Sequence, residues 1–502
     1  MPTMFSWREV DPGPGEAVAP DERLAWGKTV GIGAQHVMAM FGATFVFPAV
    51  MGLSPNLAIL MSGIATICFL LIVQGKVPSY LGTSASFVGV ATAIYAHPGA
   101  KPSDVTGAIL VAGIVLGLVG VIVHFAGAGL VNAVLPPVVT GAVVMLIGFN
   151  LAPVAATTYM PADPWIAIIT MIAVILMAVG LRGFAGRIAV FLGLVVGYVL
   201  SWLADLMFGD IHSPLPGAAA ATDHPRVSWA GVKAADWFGF PPHTPDSLTG
   251  NQGFTDQSHL LGWHAPSFSL TFILLAIPAV IALVAENTGH VKAVAEMTDR
   301  DLDPYLGRAL AGDGVGTVLA SAVGGSPTTT YAENIGVMAA TRVYSTAAYF
   351  VAAIVAIILG FIPKFGQVVD ATPGGALGGV TLVLYGMIGL LGAKIWKENN
   401  VDFSKPVNLV PIAAGVILGI VSGSSLKIAH NFTLSGIALG TVVAVGGYHL
   451  ARLISHDDDD GALIVAGGPD AQEVDPTPTT AAEHMPQHTR RHATDGPEPH
   501  ES

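Results

Sequence analysis

The sequence predicts an all-α protein that crosses a membrane about fourteen times. Two features of the composition carry this prediction: 52% of the residues are hydrophobic and only 11% are charged, whereas about 25% are charged in ordinary soluble domains. The third observation is that the apolar residues form runs of about 20, which is the length of a membrane-spanning helix. A soluble globular fold is therefore excluded, and the function must be one that operates within a membrane.

The apolar runs follow one another with short polar connections. Regular runs occupy 28–50, 55–74, 105–126, 131–152, 163–181, 186–208, 267–291, 345–363, 374–396, 407–424 and 431–454. Further runs that are richer in Gly, Ser and Thr occupy 79–97, 304–323 and 325–341. Together they predict about fourteen spans, and an even number places both termini on the same side of the membrane.

The distribution of Lys and Arg indicates the orientation. With the N-terminus inside, most of these residues, Arg300 among them, fall in cytoplasmic segments, as the positive-inside rule demands. The chain begins without the basic segment and short apolar run of a cleaved signal peptide. We therefore expect a cytoplasmic N-terminal segment (1–26), a long external loop (209–266) and a cytoplasmic tail (456–502) whose polar, Pro-rich composition predicts disorder.

Two of the predicted spans are interrupted by small and polar residues. The segments 82–90 and 325–337 fall in the third and tenth spans, so each is the third member of a set of seven. Paired interruptions of this kind point to an inverted-repeat transporter whose broken helices form a site near the middle of the membrane. The Ser/Thr-rich composition favours a short extended strand in each, and backbone freed from helices must pair internally or line a cavity.

Two carboxylates, Glu286 and Glu333, lie within these apolar regions. A charged side chain at the bilayer centre costs about 2.5–3.5 kcal/mol on insertion scales, so an intramembrane acid is a functional-site hypothesis. Glu286 and His290 have i, i+4 spacing and share a helix face, where a proton could pass between them. Glu333 accepts hydrogen bonds as a carboxylate and also donates one when protonated, which suits a planar ligand with adjacent N–H and C=O groups. A second interpretation of Glu333 is an acid that offsets a helix dipole.

Other polar residues could support the same site. Asp313, in the run LAGDGVGTVLA, is a third buried acid that either braces or couples the site or makes a simple interhelical hydrogen bond. Gln35 and His36 in the first span are candidates for bracing it. Cys68 is the single cysteine, so neither a disulfide framework nor a cysteine metal cluster is expected. No HExxH or GxSxG motif is present, and we expect neither an enzyme nor a metal or cofactor.

Four motifs resemble the nucleobase-ascorbate transporter family, also called nucleobase:cation symporter-2, in its uracil/xanthine permease branch. They are QHVMAMFGATFVFP (35–48), GKVPSYLGTSASF (75–87), AENTGHVKAVAEMT (285–298) and TTYAENIGVMAATRVYST (329–346). The resemblance implies a seven-plus-seven inverted repeat with short antiparallel strands in spans 3 and 10. It also implies a homodimer in the cytoplasmic membrane that works by proton-coupled elevator transport.

The resemblance further divides the chain into two domains. A core domain would comprise spans 1 to 4 and 8 to 11, at 27–127 and 267–366. A gate domain would comprise spans 5 to 7 and 12 to 14, at 128–208 and 367–455. In an elevator mechanism the core domain carries the substrate past the gate domain.

Carried over by position, Glu286 and Glu333 would hold a nucleobase, and His290 would tune the proton step. The other candidates are pocket residues (Ala43, Ala85, Phe87, Ala332 and Tyr385), proton-coupling residues (Glu286, His290 and Asp313) and structural supports (Gln35, His36, Tyr331 and Asn334). Ala85 departs from the family's uracil transporter, which has a pocket phenylalanine there.

The function implied is proton-coupled import of a nucleobase, most of all uracil. The expected partners are the nucleobase, the proton, the lipid bilayer and a second copy of the chain, without nucleic acid. A xanthine or purine permease of the same family is the first alternative. An anion transporter of the same architecture is the second, although two acids in the pocket would repel an anion.

Overall fold

The computed structural model of the chain describes residues 6–455 except 14–15, 217, 219, 250–260, 422–425, 430–431 and 435. Most of these residues are helical and the strands are only two to four residues long, which confirms the predicted fold class. The predicted disordered tail, 456–502, lies outside the described residues.

The helices of the first half begin after a short N-terminal segment and end at the long predicted external loop. In chain order they are α1 (Trp26–Val50), α2 (Pro55–Ile72), α3 (Val88–Tyr95), α4 (Pro102–Ala126), α5 (Gly129–Val134), α6 (Pro137–Val154), α7 (Pro164–Gly180), α8 (Phe184–Arg187) and α9 (Ala189–Phe208).

The second half repeats the alternation of long and short helices. After α10 (Ala230–Ala234) in the loop come α11 (Leu270–Ala276), α12 (Ala279–Thr298), α13 (Leu306–Ala322), α14 (Ala332–Thr341), α15 (Thr346–Gly360), α16 (Pro363–Asp370), α17 (Gly374–Glu398), α18 (Pro406–Val421) and α19 (Gly436–Ile454).

The strands form small two-stranded sheets. They are β1 (Arg8–Glu9) with β2 (Glu22–Arg23), β3 (Leu81–Thr83) with β6 (Thr328–Thr330), β4 (Ile211–Pro214) with β5 (Ala221–His224), and β7 (Leu426–Ala429) with β8 (Phe432–Leu434). The β3–β6 pair is antiparallel and joins predicted spans 3 and 10, so the prediction of short antiparallel strands in these spans is confirmed.

Length and composition allow eight helices of the described residues to cross a membrane, or nine if α15 and α16, bent by 85° at their junction, count as one span. The predicted number of about fourteen stays a prediction, because α3 and α14 have only 8 and 10 residues. Each follows a strand, and an extended residue advances the chain about twice as far as a helical one. A strand followed by a half-helix therefore covers more depth than the helix alone.

The long helices pack in two groups. In the first helix group, α4 lies along α13, while α2 and α1 lie along α15. In the second helix group, α6 and α7 lie along α17, α7 also contacts α9, and α18 lies along α19 and α6. Smaller contacts, such as those of α1 with α9 and of α12 with α6, join the groups.

Glycines allow the closest helix approaches. A Cβ added to Gly314 on α13 would collide with the backbone of Gly117 on α4, and one added to Gly148 on α6 would collide with the backbone of Gly389 on α17. Small residues at these crossings let the backbones pack directly, which is the main way that helices associate in a membrane.

The N-terminal segment is folded onto the first helix group. The backbone N–H of Val18 donates to the carbonyl of Arg342 over 2.9 Å, and Tyr344 N–H donates back to Val18 over 2.8 Å. The Trp7 indole donates to the Thr346 hydroxyl over 2.8 Å. Arg300 pairs with Asp21 at 2.8 Å, and hydrogen bonding to this guanidinium lowers the pKa of the Asp21 carboxyl. The segment therefore anchors the chain immediately after α14.

The predicted external loop is held by a charged cluster. The Arg226 guanidinium donates to Asp163 over 2.8 Å and to Asp205 over 3.2 Å. Asp163 also caps α7 by accepting from the Ile166 N–H over 3.1 Å, while Asp205 lies near the end of α9. The loop is thus fastened to two helices of the second helix group.

Candidate functional site

The paired strands β3 and β6 form the centre of the candidate site. Leu81 pairs with Thr330 and Thr83 with Thr328, although the partners are far apart in the chain. Two further backbone bonds extend the pairing, from Ser84 N–H to the Pro327 carbonyl over 2.9 Å and from Tyr331 N–H to the Tyr80 carbonyl over 3.0 Å. Backbone that has left a helix inside the membrane is thereby satisfied.

Threonine hydroxyls from neighbouring helices hold each strand. Thr66 of α2 accepts a bond from the Leu81 N–H over 2.9 Å. Thr317 of α13 accepts from the Thr328 N–H over 3.1 Å and donates to the Thr328 carbonyl over 3.0 Å. The two threonines lie in the predicted second and ninth spans, which are equivalent positions in a seven-plus-seven repeat.

A short helix follows each strand, so two helix N-termini lie beside the strand pair. After β3, Ala85–Phe87 form one 3₁₀ turn that continues into α3. After β6, α14 begins at Ala332, and Glu333 is the acid of its first turn. Exposed N–H groups and the helix dipole favour negative charge at such an end. The helix-dipole interpretation of Glu333 therefore agrees with its position, and it is compatible with ligand binding.

Glu286 approaches the same place from α12. Its carboxylate accepts a bond from the Ser86 hydroxyl at 3.5 Å, the long end of the hydrogen-bond range. It also lies close enough to Asp313 and Glu333 for like-charge repulsion. Both glutamates are half-buried, whereas Asp313 is fully buried. The structure thus gathers three acids predicted from separate runs of the sequence around one strand pair.

Asp313 is bound by side chains that the sequence analysis did not single out. The Asn287 amide donates to Asp313 over 2.6 Å and lies 3.5 Å from the Thr330 hydroxyl. Thr329 adds a longer bond to Asp313 at 3.4 Å. Asn287 directly follows Glu286 in the AENTGH motif, and this position was the signal in the sequence that could have identified it as a site residue.

His290 is directed towards the strands. Its Nδ1 lies 2.8 Å from the hydroxyl of Thr330, which also contacts Asn287. Among the described residues no hydrogen bond joins His290 to Glu286, although both lie on α12. The predicted passage of a proton between them stays a prediction.

Three of the predicted structural supports, Tyr331, Asn334 and His36, make hydrogen bonds beside the strand pair. Tyr331 donates from its hydroxyl to the Thr83 carbonyl over 2.8 Å and accepts from Thr44 over 3.2 Å. The Asn334 amide contacts His36 twice, at the ring Nδ1 over 3.2 Å and at the backbone carbonyl over 3.0 Å. Tyr331 therefore links the ends of β3 and β6 to α1, and Asn334 links α14 to α1.

Gln35 lies apart from these contacts. It is half-buried and lines a cavity of about 480 Å³ bounded by Val18, Val337 and Arg342. This cavity adjoins the N-terminal segment at the predicted cytoplasmic end of α14. A bracing role for Gln35 stays a prediction.

The predicted pocket residues are mostly enclosed. Phe87 and Tyr385 are buried, as are Ala43 and Ala85, while Ala332 is half-buried. The Tyr385 ring of α17 lies nearly parallel to the Phe47 ring of α1, so the second helix group reaches the first helix group one turn beyond Ala43. Their predicted contact with a substrate stays a prediction.

Among the described residues there is no group of three or more His, Cys, Asp and Glu side chains that could hold a metal.

Solved structures with the same fold are membrane transporters. The transmembrane domain of a cyanobacterium bicarbonate transporter, BicA, has a TM-score of 0.54 at 13% identity, covering 79% of this chain and 96% of that chain. Murine Solute Carrier 26 family member A9, an anion transporter in the inward-facing state, has a TM-score of 0.58 at 12% identity, covering 86% of this chain and 68% of that chain. At these identities the likeness shows the fold alone.

Sequence relatives are much closer. The chain is 43% identical over 434 residues to the putative pyrimidine permease RutG of Escherichia coli, covering 85% of this chain and 90% of the relative. It is 35% identical over 434 residues to the uracil permease of Bacillus caldolyticus, covering 84% and 92%. The uracil permease of Paenibacillus larvae is 32% identical over 440 residues, covering 85% and 94%.

A family model described as the permease family matches residues 27–425. The match includes both strands, both half-helices and all three acids of the candidate site. Together with the relatives above, it shows that the chain is a multi-pass membrane protein of the permease family, the nucleobase-ascorbate transporter family whose motifs it carries.

Proposed function

We propose that this chain imports uracil, or a closely related pyrimidine base, across the cytoplasmic membrane together with protons. The observation that carries the proposal is the convergence of Glu286 and Glu333 on one strand pair between two half-helices. Relatives named uracil permease and pyrimidine permease support the choice of base.

The chemistry of the site suits a neutral base with an imide edge. Uracil presents N–H groups beside carbonyl groups, and a carboxylate accepts from the former while a protonated carboxyl donates to the latter. Glu286 and Glu333 approach from different helices, so each can bind a separate part of the base. Backbone N–H groups in the first turn of a helix such as α14 can donate to a carbonyl of a ligand.

Proton coupling follows from the cost of a buried negative charge. Moving an unpaired carboxylate through an apolar region is unfavourable, and protonation removes that cost. Glu286 is the candidate for the coupled proton because it is half-buried and lies beside two other acids. His290 and Asp313 are linked through Thr330 and Asn287 and can adjust that step.

An elevator mechanism requires two bodies that slide past each other. The two helix groups support the proposed core domain (27–127 and 267–366) and gate domain (128–208 and 367–455). The matching roles of Thr66 and Thr317 support the inverted repeat. We further propose that the protein is a homodimer with both termini in the cytoplasm.

Two other substrates remain as competing proposals. A xanthine or purine permease would use the same carboxylates. An anion transporter has the same fold in the solved structures above, but adjacent acids repel an anion.

Transport by the purified chain in proteoliposomes tests the proposal. We expect labelled uracil to accumulate when the outside is more acidic, and to be displaced by excess uracil or thymine but not by sulfate or bicarbonate. Accumulation should disappear with a protonophore. Stronger displacement by xanthine than by uracil would replace the pyrimidine assignment with a purine one, and uptake of sulfate in place of bases would overturn both.

A further inference from the structure

An aromatic pair joins the two helix groups beside the candidate site. The rings of Phe47 and Tyr385 are inclined by only 10° and their centroids are 6.2 Å apart. The side chains are 3% and 1% exposed. Phe47 belongs to α1 and Tyr385 to α17, so the pair lies where the two groups face each other.

The position of Phe47 on α1 directs its ring towards the site. It follows Ala43 by four residues and Thr44 by three, so all three lie on one side of the helix. The Thr44 hydroxyl contacts the Tyr331 hydroxyl at 3.2 Å, and Tyr331 directly follows β6. Phe47 therefore lies about one turn from the strand pair, towards the predicted external end of α1.

The hydroxyl of Tyr385 is a polar group beside this aromatic pair. Its hydroxyl is buried and has no hydrogen-bond partner among the described residues. Buried tyrosine hydroxyls usually find a partner, because one end of the ring is polar. A bound base with carbonyl and N–H groups would supply that partner.

The other side chains near the strands offer less aromatic surface. Ala85 has no ring, and Phe87, which is as buried as Phe47, has no aromatic partner across the two helix groups among the described residues. Tyr331 is held by hydrogen bonds to Thr83 and Thr44, and its ring lies against Gly82 so closely that a Cβ there would collide with it. Planar bases are commonly recognised by stacking on an aromatic face.

We propose that Phe47, paired with Tyr385, is the specificity-determining aromatic wall of the base pocket. Phe47 selects planar bases by contact with the ring face, while the carboxylates read the hydrogen-bonding edge. This inference rests on the proposed function, since it assumes that the base binds beside Glu286 and Glu333.

The test compares uracil with 5,6-dihydrouracil. Both have the same imide edge, but the saturated ring of dihydrouracil is puckered and stacks poorly. Uptake kinetics in proteoliposomes are measured for wild type, Phe47→Leu and Phe47→Tyr. We expect Phe47→Leu to raise the KM for uracil about tenfold and the KM for dihydrouracil by less than threefold. Phe47→Tyr should keep the wild-type preference.

Phe45→Leu is the matched control. Phe45 is a buried phenylalanine of the same helix, but it stacks on Phe41 at 4.6 Å and faces Phe365 at 5.9 Å. Its loss should leave the uracil-to-dihydrouracil preference unchanged. If Phe47→Leu fails to fold, two other variants provide the same comparison. Tyr385→Leu should lose the preference for uracil over dihydrouracil, and Phe47→Trp should retain it.

The outcomes separate this inference from the proposed function. Wild type that does not transport uracil would overturn the proposed function itself. A different result would overturn the inference alone. In it, the wild type prefers uracil, and Phe47→Leu either keeps this preference or raises the KM for both substrates equally. Phe47 would then have a packing role only.

Discussion

Asn287 donates a 2.6 Å hydrogen bond to Asp313, and both side chains are fully buried. The bond joins α12, which carries Glu286, to α13, whose Thr317 holds strand β6. One residue therefore links a proposed base ligand to the scaffold of the strand pair. A buried acid without a donor is costly, so the asparagine is a structural requirement of the site.

Replacement of Asn287 by alanine should destabilise the protein by about 1–3 kcal/mol, because Asp313 loses its shortest hydrogen bond. Uracil uptake should fall at least about tenfold in the same variant. Asn56→Ala is the control, since the buried Asn56 amide has no hydrogen-bond partner among the described residues. Thermal unfolding and uptake of the two variants provide the measurement, and equal losses would contradict the role of Asn287.

Glu333→Gln should change substrate choice without unfolding the protein. The amide keeps the shape of the side chain but cannot ionise, and it offers donors where the carboxylate only accepts. We expect uracil affinity to fall about tenfold or more, and competition by other bases to change order. Glu296→Gln, at the far end of α12, is the control. Unchanged affinity and selectivity in Glu333→Gln would remove this residue from the site.

Glu286→Gln should uncouple transport from protons. Wild-type uptake is expected to rise as the external pH falls, because each inward step carries a proton. The variant cannot release a proton from position 286, so it should exchange labelled for unlabelled base but not concentrate it. Counterflow and gradient-driven accumulation are measured in the same proteoliposomes. Full accumulation by the variant would refute the coupling role and leave the base assignment intact.

Arg226→Ala should destabilise the external loop. The guanidinium is 13% exposed and pairs with Asp163 and Asp205, whose charges would be left without their partner. Loss of one member of such a cluster typically costs about 3–5 kcal/mol. Arg8, whose side chain is 77% exposed, pairs with Glu22 and provides the control, because an exposed ion pair contributes little to stability. Thermal unfolding distinguishes the two, and equal shifts would contradict a structural role for the Arg226 cluster.

His264 should make stability depend on pH. Burial lowers the pKa of this loop imidazole, which lies between the hydroxyls of Thr106 at 3.2 Å and Thr244 at 3.4 Å, with His243 and Asp246 nearby. Because the unfolded histidine has a pKa of about 6.5, the unfolded state binds more protons below that pH. The contribution of His264 is therefore retained above pH 6.5 and lost progressively below it. Melting temperatures between pH 7.5 and 4.5 should fall less steeply in His264→Gln, and parallel curves would contradict this.

The sequence predicted the features that depend on local composition. Runs of apolar residues identify helices, and Glu286 and Glu333 are conspicuous within them because charge is rare in a membrane. The interruptions at 82–90 and 325–337 predicted the two strands, because runs of Ser, Thr and Gly have low helix propensity. The family was also recognisable from short motifs, and the family match confirms it.

Other parts of the site could not be predicted, because neutral residues are ambiguous in a sequence. Asn287, Thr66 and Thr317 resemble ordinary polar residues of a helix until their partners are known. The folded N-terminal segment was not expected either, since its attachment depends on backbone bonds between Val18 and residues that follow α14.

The sequence by itself determined the class of the protein, its membrane location, its family and the acids of the candidate site. These follow from hydropathy, charge and motif spacing, which are properties of neighbouring residues. Only the tertiary structure decided that Leu81 pairs with Thr330, that Asn287 binds Asp313 and that Phe47 faces Tyr385. Each of these contacts joins different elements, and its geometry is set by how the helices pack, which no local pattern specifies.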